Sequence, residues 1–78
     1  MTEVKPRALI VEDDSALRAE LISLLTRQGF ETDHSEDGVG AINHLKTIKY
    51  DLIVLDWNLP DIAGVDVLKL YRNNGGDA

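Results

Sequence analysis

Two short apolar runs, each closed abruptly by acid, constrain this chain more than any other feature. Ala8-Leu9-Ile10-Val11 is followed at once by Glu12-Asp13-Asp14, and Leu52-Ile53-Val54-Leu55 is followed by Asp56. Runs that are apolar at every position, rich in Ile and Val, leave no face for solvent, which suits parallel strands covered on both sides. A buried helix also gives such runs, but these are too short and are bounded by breakers. Pro6 precedes the first, and Asn58 and Pro60 follow the second.

The sequence between and after the runs has helical period. Ser15 is placed to cap a helix carrying Leu17, Leu21, Leu24 and Leu25, with Gly29 as its C′ residue. Those leucines persist for only about two heptads, so they predict core packing and not a zipper. Asp37 is placed to cap a second helix with Val39, Ile42 and Leu45 on one stripe, ending near Lys49. A third is expected from about Gly64 to Asn73 with Val65, Leu68 and Tyr71 inward, before a linker-like Asn73-Asn74-Gly75-Gly76. Glu31-Thr32-Asp33-His34 is far more polar than the two runs and predicts a short strand at the sheet edge.

Alternating strands and helices with short connections imply a parallel α/β sheet with right-handed crossovers. With the polar strand outermost, the first strand lies between the other two. The first helix then covers one face of the sheet and the second and third cover the other. The strand order reverses beside the first strand, and open α/β sheets bind ligands at the carboxyl ends of strands there.

The acids fall at that place. Glu12 and Asp13 end one strand and Asp56 ends its neighbour, and adjacent strands lie ~4.8 Å apart. Two full charges ~5 Å apart repel by roughly 3 kcal/mol at an effective dielectric of 20. Three would burden a domain whose whole stability is on the order of 5–15 kcal/mol or less. Such a cluster is tolerated when it binds a cation, stays protonated or splays into water. With no cysteine and only oxygen donors, a hard cation such as Mg²⁺ is favoured. Asp14 reads most simply as a helix cap or solvated loop acid, whereas Glu12, Asp13 and Asp56 together read as a metal site. One of the three can also serve as a nucleophile toward phosphorus, but spacing does not say which.

Composition narrows the setting. Eight basic residues against 14 acidic ones give a net charge of −6, which argues against docking on nucleic acid. No apolar run approaches the ~20 residues of a membrane span, and Met1 to Pro6 holds no signal-peptide core. A soluble, cytoplasmic domain is expected, with no membrane association.

Ile10-Val11-Glu12-Asp13-Asp14-Ser15 and Leu55-Asp56-Trp57-Asn58-Leu59-Pro60-Asp61-Ile62-Ala63-Gly64 together resemble the receiver domain of bacterial two-component response regulators. Either motif alone is weak; the pair at this separation is specific. The resemblance implies a flavodoxin-like α/β fold, a parallel three-layer sandwich cut to three βα units with strand order 2-1-3. Residues 1–78 would form a partial receiver. It implies that Asp56 is the phosphoacceptor of a phosphorelay, taking its phosphoryl group from a histidine kinase. Asp13 would hold Mg²⁺ directly, Glu12 through water, and Asn58 through its backbone carbonyl. Trp57, beside the acceptor, would report metal binding by fluorescence, and Pro60 and Gly64 match the turn into the third helix.

The family has about five βα units, and three are present here. The strand with the Ser or Thr that reads the phosphoryl group and the strand with the Lys that pairs with it are not. Lys46, Lys49 and Lys69 are expected on or near helix surfaces, away from the pocket.

An apolar third strand with an open edge invites pairing with another chain, so self-association as a two-fold dimer is expected. The alternative function is a truncated receiver acting only as an interaction module. A phosphohydrolase of similar sheet plan is weaker, because Trp57-Asn58 follow Asp56 where a second acid would be needed. His34 and His44 are expected at the surface, Arg18, Arg27 and Arg72 as solvated charges, and Asp51 and Asp61 as turn residues.

Overall fold

The two apolar runs form neighbouring parallel strands. The computed structural model describes residues 5–56, 59–61 and 63–73. Trp57, Asn58 and the Asn74-Gly75-Gly76 stretch lie outside the described residues, as does the side chain of Val65. Six elements alternate: β1 (Arg7–Val11), α1 (Ser15–Arg27), β2 (Glu31–Ser35), α2 (Gly38–Thr47), β3 (Leu52–Leu55) and α3 (Gly64–Asn73). The sheet has the order β2-β1-β3. In the ladders Arg7 faces Glu31 and Val11 faces Ser35 on one side of β1, while Ala8 faces Leu52 and Val11 faces Leu55 on the other.

β1 is covered on both faces, since Ala8, Leu9 and Ile10 are 0% exposed. Leu9 and Val11 join Ala41, Tyr50 and Val67 in one cluster, with Ile53 and Leu55 packed against it. α2 and α3 pack together, and α2 packs on β1 and β2. By the alternation of a pleated strand, Ala8 and Ile10 point to the opposite face. There α1 packs against β1 and β2.

Helical period misplaced part of α1. No residue of this helix is fully buried, and Leu17 and Leu24, expected in the core, are 42% and 45% exposed. Only the side of α1 turned toward β1 and β2 is covered, which leaves Leu21 and Leu25 half-buried. The leucine stripe is wider than the surface it packs on. Among the described side chains of α3, Gly64 and Val67 are buried, while Leu68 and Tyr71 of the expected stripe are half-buried.

The helix ends follow short polar side chains. Asp14, not Ser15, caps α1, its Oδ1 accepting from the N–H groups of Ala16 at 2.9 Å and Leu17 at 3.1 Å. A carboxylate there also meets the positive end of the helix. Gly29 supplies the left-handed turn after α1 with φ of 94°. Asp37 caps α2 as expected, accepting from Gly40 N–H at 2.8 Å, and the helix stops at Thr47 rather than near Lys49.

The amino end of the sheet carries a polar cluster of its own. The buried Tyr50 hydroxyl donates to Asp33 Oδ2 at 2.6 Å, and Arg7 Nη1 donates to the same oxygen at 3.2 Å. Burial, and secondarily the Asp33 carboxylate, push the Tyr50 phenol well above its ordinary pKa. His44, expected on the surface, is half-buried with Nδ1 3.4 Å from that hydroxyl. Asp51 is more than a turn residue, because its Oδ2 accepts the Arg7 N–H at 2.9 Å.

Candidate functional site

The acids converge because the register carries them there. Val11 faces Leu55 in the β1–β3 ladder, so the next residues leave the sheet side by side. Glu12 N–H donates to Ser35 O at 3.1 Å and Asp56 N–H donates to Val11 O at 3.0 Å. Both segments therefore continue as strand for one further hydrogen bond. One carboxylate oxygen from each of Glu12, Asp13 and Asp56 lies within 4.8 Å of the others.

The three differ in solvent access, with Glu12 only 9% exposed, Asp56 half-buried and Asp13 exposed. Burial raises the Glu12 carboxyl above its ordinary pKa, and hydrogen bonding to Asp56 and Asp13 raises it further. The Asp14 N–H opposes that shift, though at 3.5 Å from Oε2 it is a weak donor. A nearly buried carboxyl pressed against two others favours a proton or a cation. The donor set is all oxygen, one group buried and one open to solvent. That composition fits a hard divalent ion that keeps some of its water, as Mg²⁺ does.

Two contacts at this end escaped the sequence. Arg18 Nη1 donates to the Glu12 carbonyl at 2.9 Å, so this half-buried arginine is not simply a solvated charge. Its spacing from Glu12 is compatible with that reach, but nothing in composition marks it out from Arg27 or Arg72. Asp61 is not simply a turn residue either. Its two carboxylate oxygens accept the N–H groups of Gly38 at 2.7 Å and Val39 at 2.9 Å, at the start of α2. Lys46, Lys49 and Lys69 are exposed, as expected. The backbone carbonyl of Asn58, expected to join the site, lies outside the described residues.

A family model described as the response regulator receiver domain matches residues 8–77. The chain belongs to the response regulator receiver domain family. Among curated relatives of this receiver, the probable transcriptional regulatory protein SilR of Salmonella typhimurium is 39% identical over 69 residues, covering 88% of this chain and 30% of SilR. A receiver domain of known structure from Methylobacillus flagellatus, described as CheY-like, matches with a TM-score of 0.88 at 33% identity, over 96% of this chain and 64% of that one. Response regulator TrrA from Thermotoga maritima, solved with Mg²⁺-BeF, matches with a TM-score of 0.86 at 33% identity, over 90% of this chain and 61% of its own. TrrA has also been solved in complex with the histidine kinase ThkA. This receiver chain thus spans less than a third of SilR and under two thirds of the two solved receivers.

Among the described residues, no helix is long and apolar enough to cross a membrane.

Proposed function

We propose that this receiver accepts a phosphoryl group on Asp56 from a histidine kinase, with Mg²⁺ held by Glu12, Asp13, Asp56 and the backbone carbonyl of Asn58. The observation that carries this reading is the meeting of three carboxylates, one nearly buried, at the carboxyl ends of β1 and β3. The Mg²⁺-BeF and kinase complexes of TrrA support the choice of ion and partner.

Asp56 takes the nucleophile's role by its match to the receiver motif, and it stands half-buried at the end of a strand whose backbone is pinned to Val11. Its carboxylate oxygen forms a bond to phosphorus as the phosphorus–nitrogen bond of the kinase's phosphohistidine breaks, and the departing ring takes up a proton. Mg²⁺, when bound, offsets the negative charge that gathers there. Glu12 lends a carboxylate from the protein side and Asp13 one from the solvent side. The chain is then a kinase's substrate and a cytoplasmic signalling element, not an enzyme in its own right, and its charge of −6 argues against nucleic-acid binding by this domain. Treatment with a small acyl phosphate followed by mass measurement tests the assignment. A single phosphoryl adduct is expected on the wild-type chain and none on Asp56→Ala; an adduct that survives the substitution overturns it.

A second reading, an interaction module that dimerises, is favoured by β3. It is an edge strand, yet it is wholly apolar and every one of its side chains is only half-buried. Pairing with a second copy would cover them. Sedimentation at rising concentration is expected to show a dimer, and a folded monomer at the highest concentration overturns that reading.

A further inference from the structure

The connection from β3 to α3 is held at both ends by main-chain bonds. Asp56 N–H ties its start to Val11 O at 3.0 Å, and Ala63 O accepts Asp66 N–H at 2.9 Å and Val67 N–H at 3.3 Å where α3 begins. Between these points Leu59 packs against the core cluster, and Asp61 reaches into a different element. Its carboxylate takes the Gly38 and Val39 N–H groups, one oxygen to each, at 2.7 and 2.9 Å. Short bonds from consecutive amides to one carboxylate are charge-assisted and sit on the positive end of α2.

α2 does not need this second carboxylate in order to begin. Asp37 already accepts from Gly40 N–H at 2.8 Å, and Asp37 O accepts from Ala41 N–H at 3.2 Å. Among the described residues, α1 begins on the side chain of Asp14, which accepts two N–H bonds on one oxygen. The Asp61 contact therefore acts chiefly on the segment that Asp61 belongs to. That segment starts at Asp56, and Pro60 immediately before Asp61 restricts its backbone further.

We propose that Asp61 is a positioning residue for the acidic site: by clamping the β3–α3 connection to the start of α2, it sets how tightly Glu12, Asp13 and Asp56 hold a divalent cation. This rests on the proposed function above. It adds α2 to the elements that determine the site, although α2 contributes no ligand to it.

The test compares the full chain with Asp61→Ala and Asp61→Asn, using Asp51→Ala as a control. Asp51 accepts a main-chain bond at the other end of the sheet, so its loss lowers stability without reaching the site. Amide hydrogen exchange at Gly38 and Val39, read without metal, reports the clamp. Mg²⁺ titration of Trp57 fluorescence, on samples verified as folded by circular dichroism, reports the consequence. Exchange at those two amides is expected to quicken by roughly tenfold in Asp61→Ala. The Mg²⁺ dissociation constant should rise by roughly tenfold, the size typical when a supporting residue behind a metal ligand is removed. Asp61→Asn, which keeps one accepting oxygen and the fold, should fall between, and Asp51→Ala should hold Mg²⁺ as the wild type does. If either Asp61 variant is folded, exchanges faster, and yet binds Mg²⁺ within twofold of wild type, the clamp has no positioning role and the proposal fails while the site reading stands. A wild-type chain that protects Gly38 and Val39 but shows no Mg²⁺ response overturns the site reading and the proposal together.

Discussion

Glu12 and Asp56 each stand one step beyond a matched pair, Val11 and Leu55, in the β1–β3 ladder. Their proximity is a product of register. A slip of one residue in β3 would turn Leu55 to the other face and move Asp56 off Glu12. The register is fixed by Ile53 and Leu55, which must meet the core cluster on the α2 and α3 side.

That proximity destabilises the chain when no cation is present. Glu12→Gln removes one charge from the cluster and keeps the side chain's shape, so the metal-free variant is expected to be more stable than wild type by about 1 kcal/mol at neutral pH. The figure is well below a full pair repulsion because Asp13 is exposed and screened. The pH dependence follows from the direction of the shift. Glu12 is raised above its ordinary value of 4.5, so its contribution is fully present below that value and is lost as pH rises through the elevated one. The gap between the variant and wild type should therefore open with rising pH. Saturating Mg²⁺ should reverse the order, since wild type, with all three carboxylates, gains more from binding than the variant. Urea midpoints in chelator and in Mg²⁺ check both halves; a variant less stable than wild type in chelator would show that Glu12 is not under strain.

The parts of this architecture that were legible in the sequence are those set by local pattern. The two apolar runs, the polar edge strand, the Asp37 cap and the Gly29 turn each depend on residue type at a fixed offset. The acids were legible because strand order and register turn sequence position into spatial position. What escaped depended on distant neighbours. Leucine spacing marked a face on α1 but not how much surface would cover it, so Leu17 and Leu24 stay well exposed instead of entering the core. Asp61 has the composition of a turn, and nothing near it hints at a reach to Gly38 and Val39. Tyr50, buried to 1% exposure, sits just before the apolar run and was not marked by it.

Tyr50→Phe should cost about 1.5–3 kcal/mol, the value of a hydrogen bond to a charged acceptor. Asp33 keeps its bond from Arg7 at 3.2 Å, which holds the loss to that range. The substitution should also change the alkaline limb. The phenol's pKa is raised from an ordinary value of 10.0, so its stabilising contribution is complete below that value and drains away as pH climbs above it. Wild type is expected to lose up to about 1.4 kcal/mol per pH unit from this group there, and the phenylalanine variant none of that portion. Urea midpoints from mildly alkaline pH upward measure the difference, and parallel limbs would show that the phenol does not control it.

Gly40→Ala sets two effects against each other. In a helix interior, alanine is favoured over glycine by about 1 kcal/mol. At this position, however, an added Cβ would overlap Ser35 Oγ and come within 2.9 Å of Asp37 Oδ1. Neither neighbour yields cheaply. Ser35 is nearly buried and its hydroxyl donates to Asp37 O at 2.8 Å, while Asp37 Oδ1 accepts the Gly40 N–H itself. Crowding of this kind costs about 1–3 kcal/mol, so it should outweigh the propensity gain and leave the variant less stable. Ser35→Ala removes the closer overlap, and in that background the cost of Gly40→Ala should shrink, with only the Asp37 Oδ1 contact left to resist it. A double-mutant cycle on urea midpoints measures the coupling, and a cycle that closes with no interaction between positions 35 and 40 would show that Gly40 is not retained for room beside Ser35.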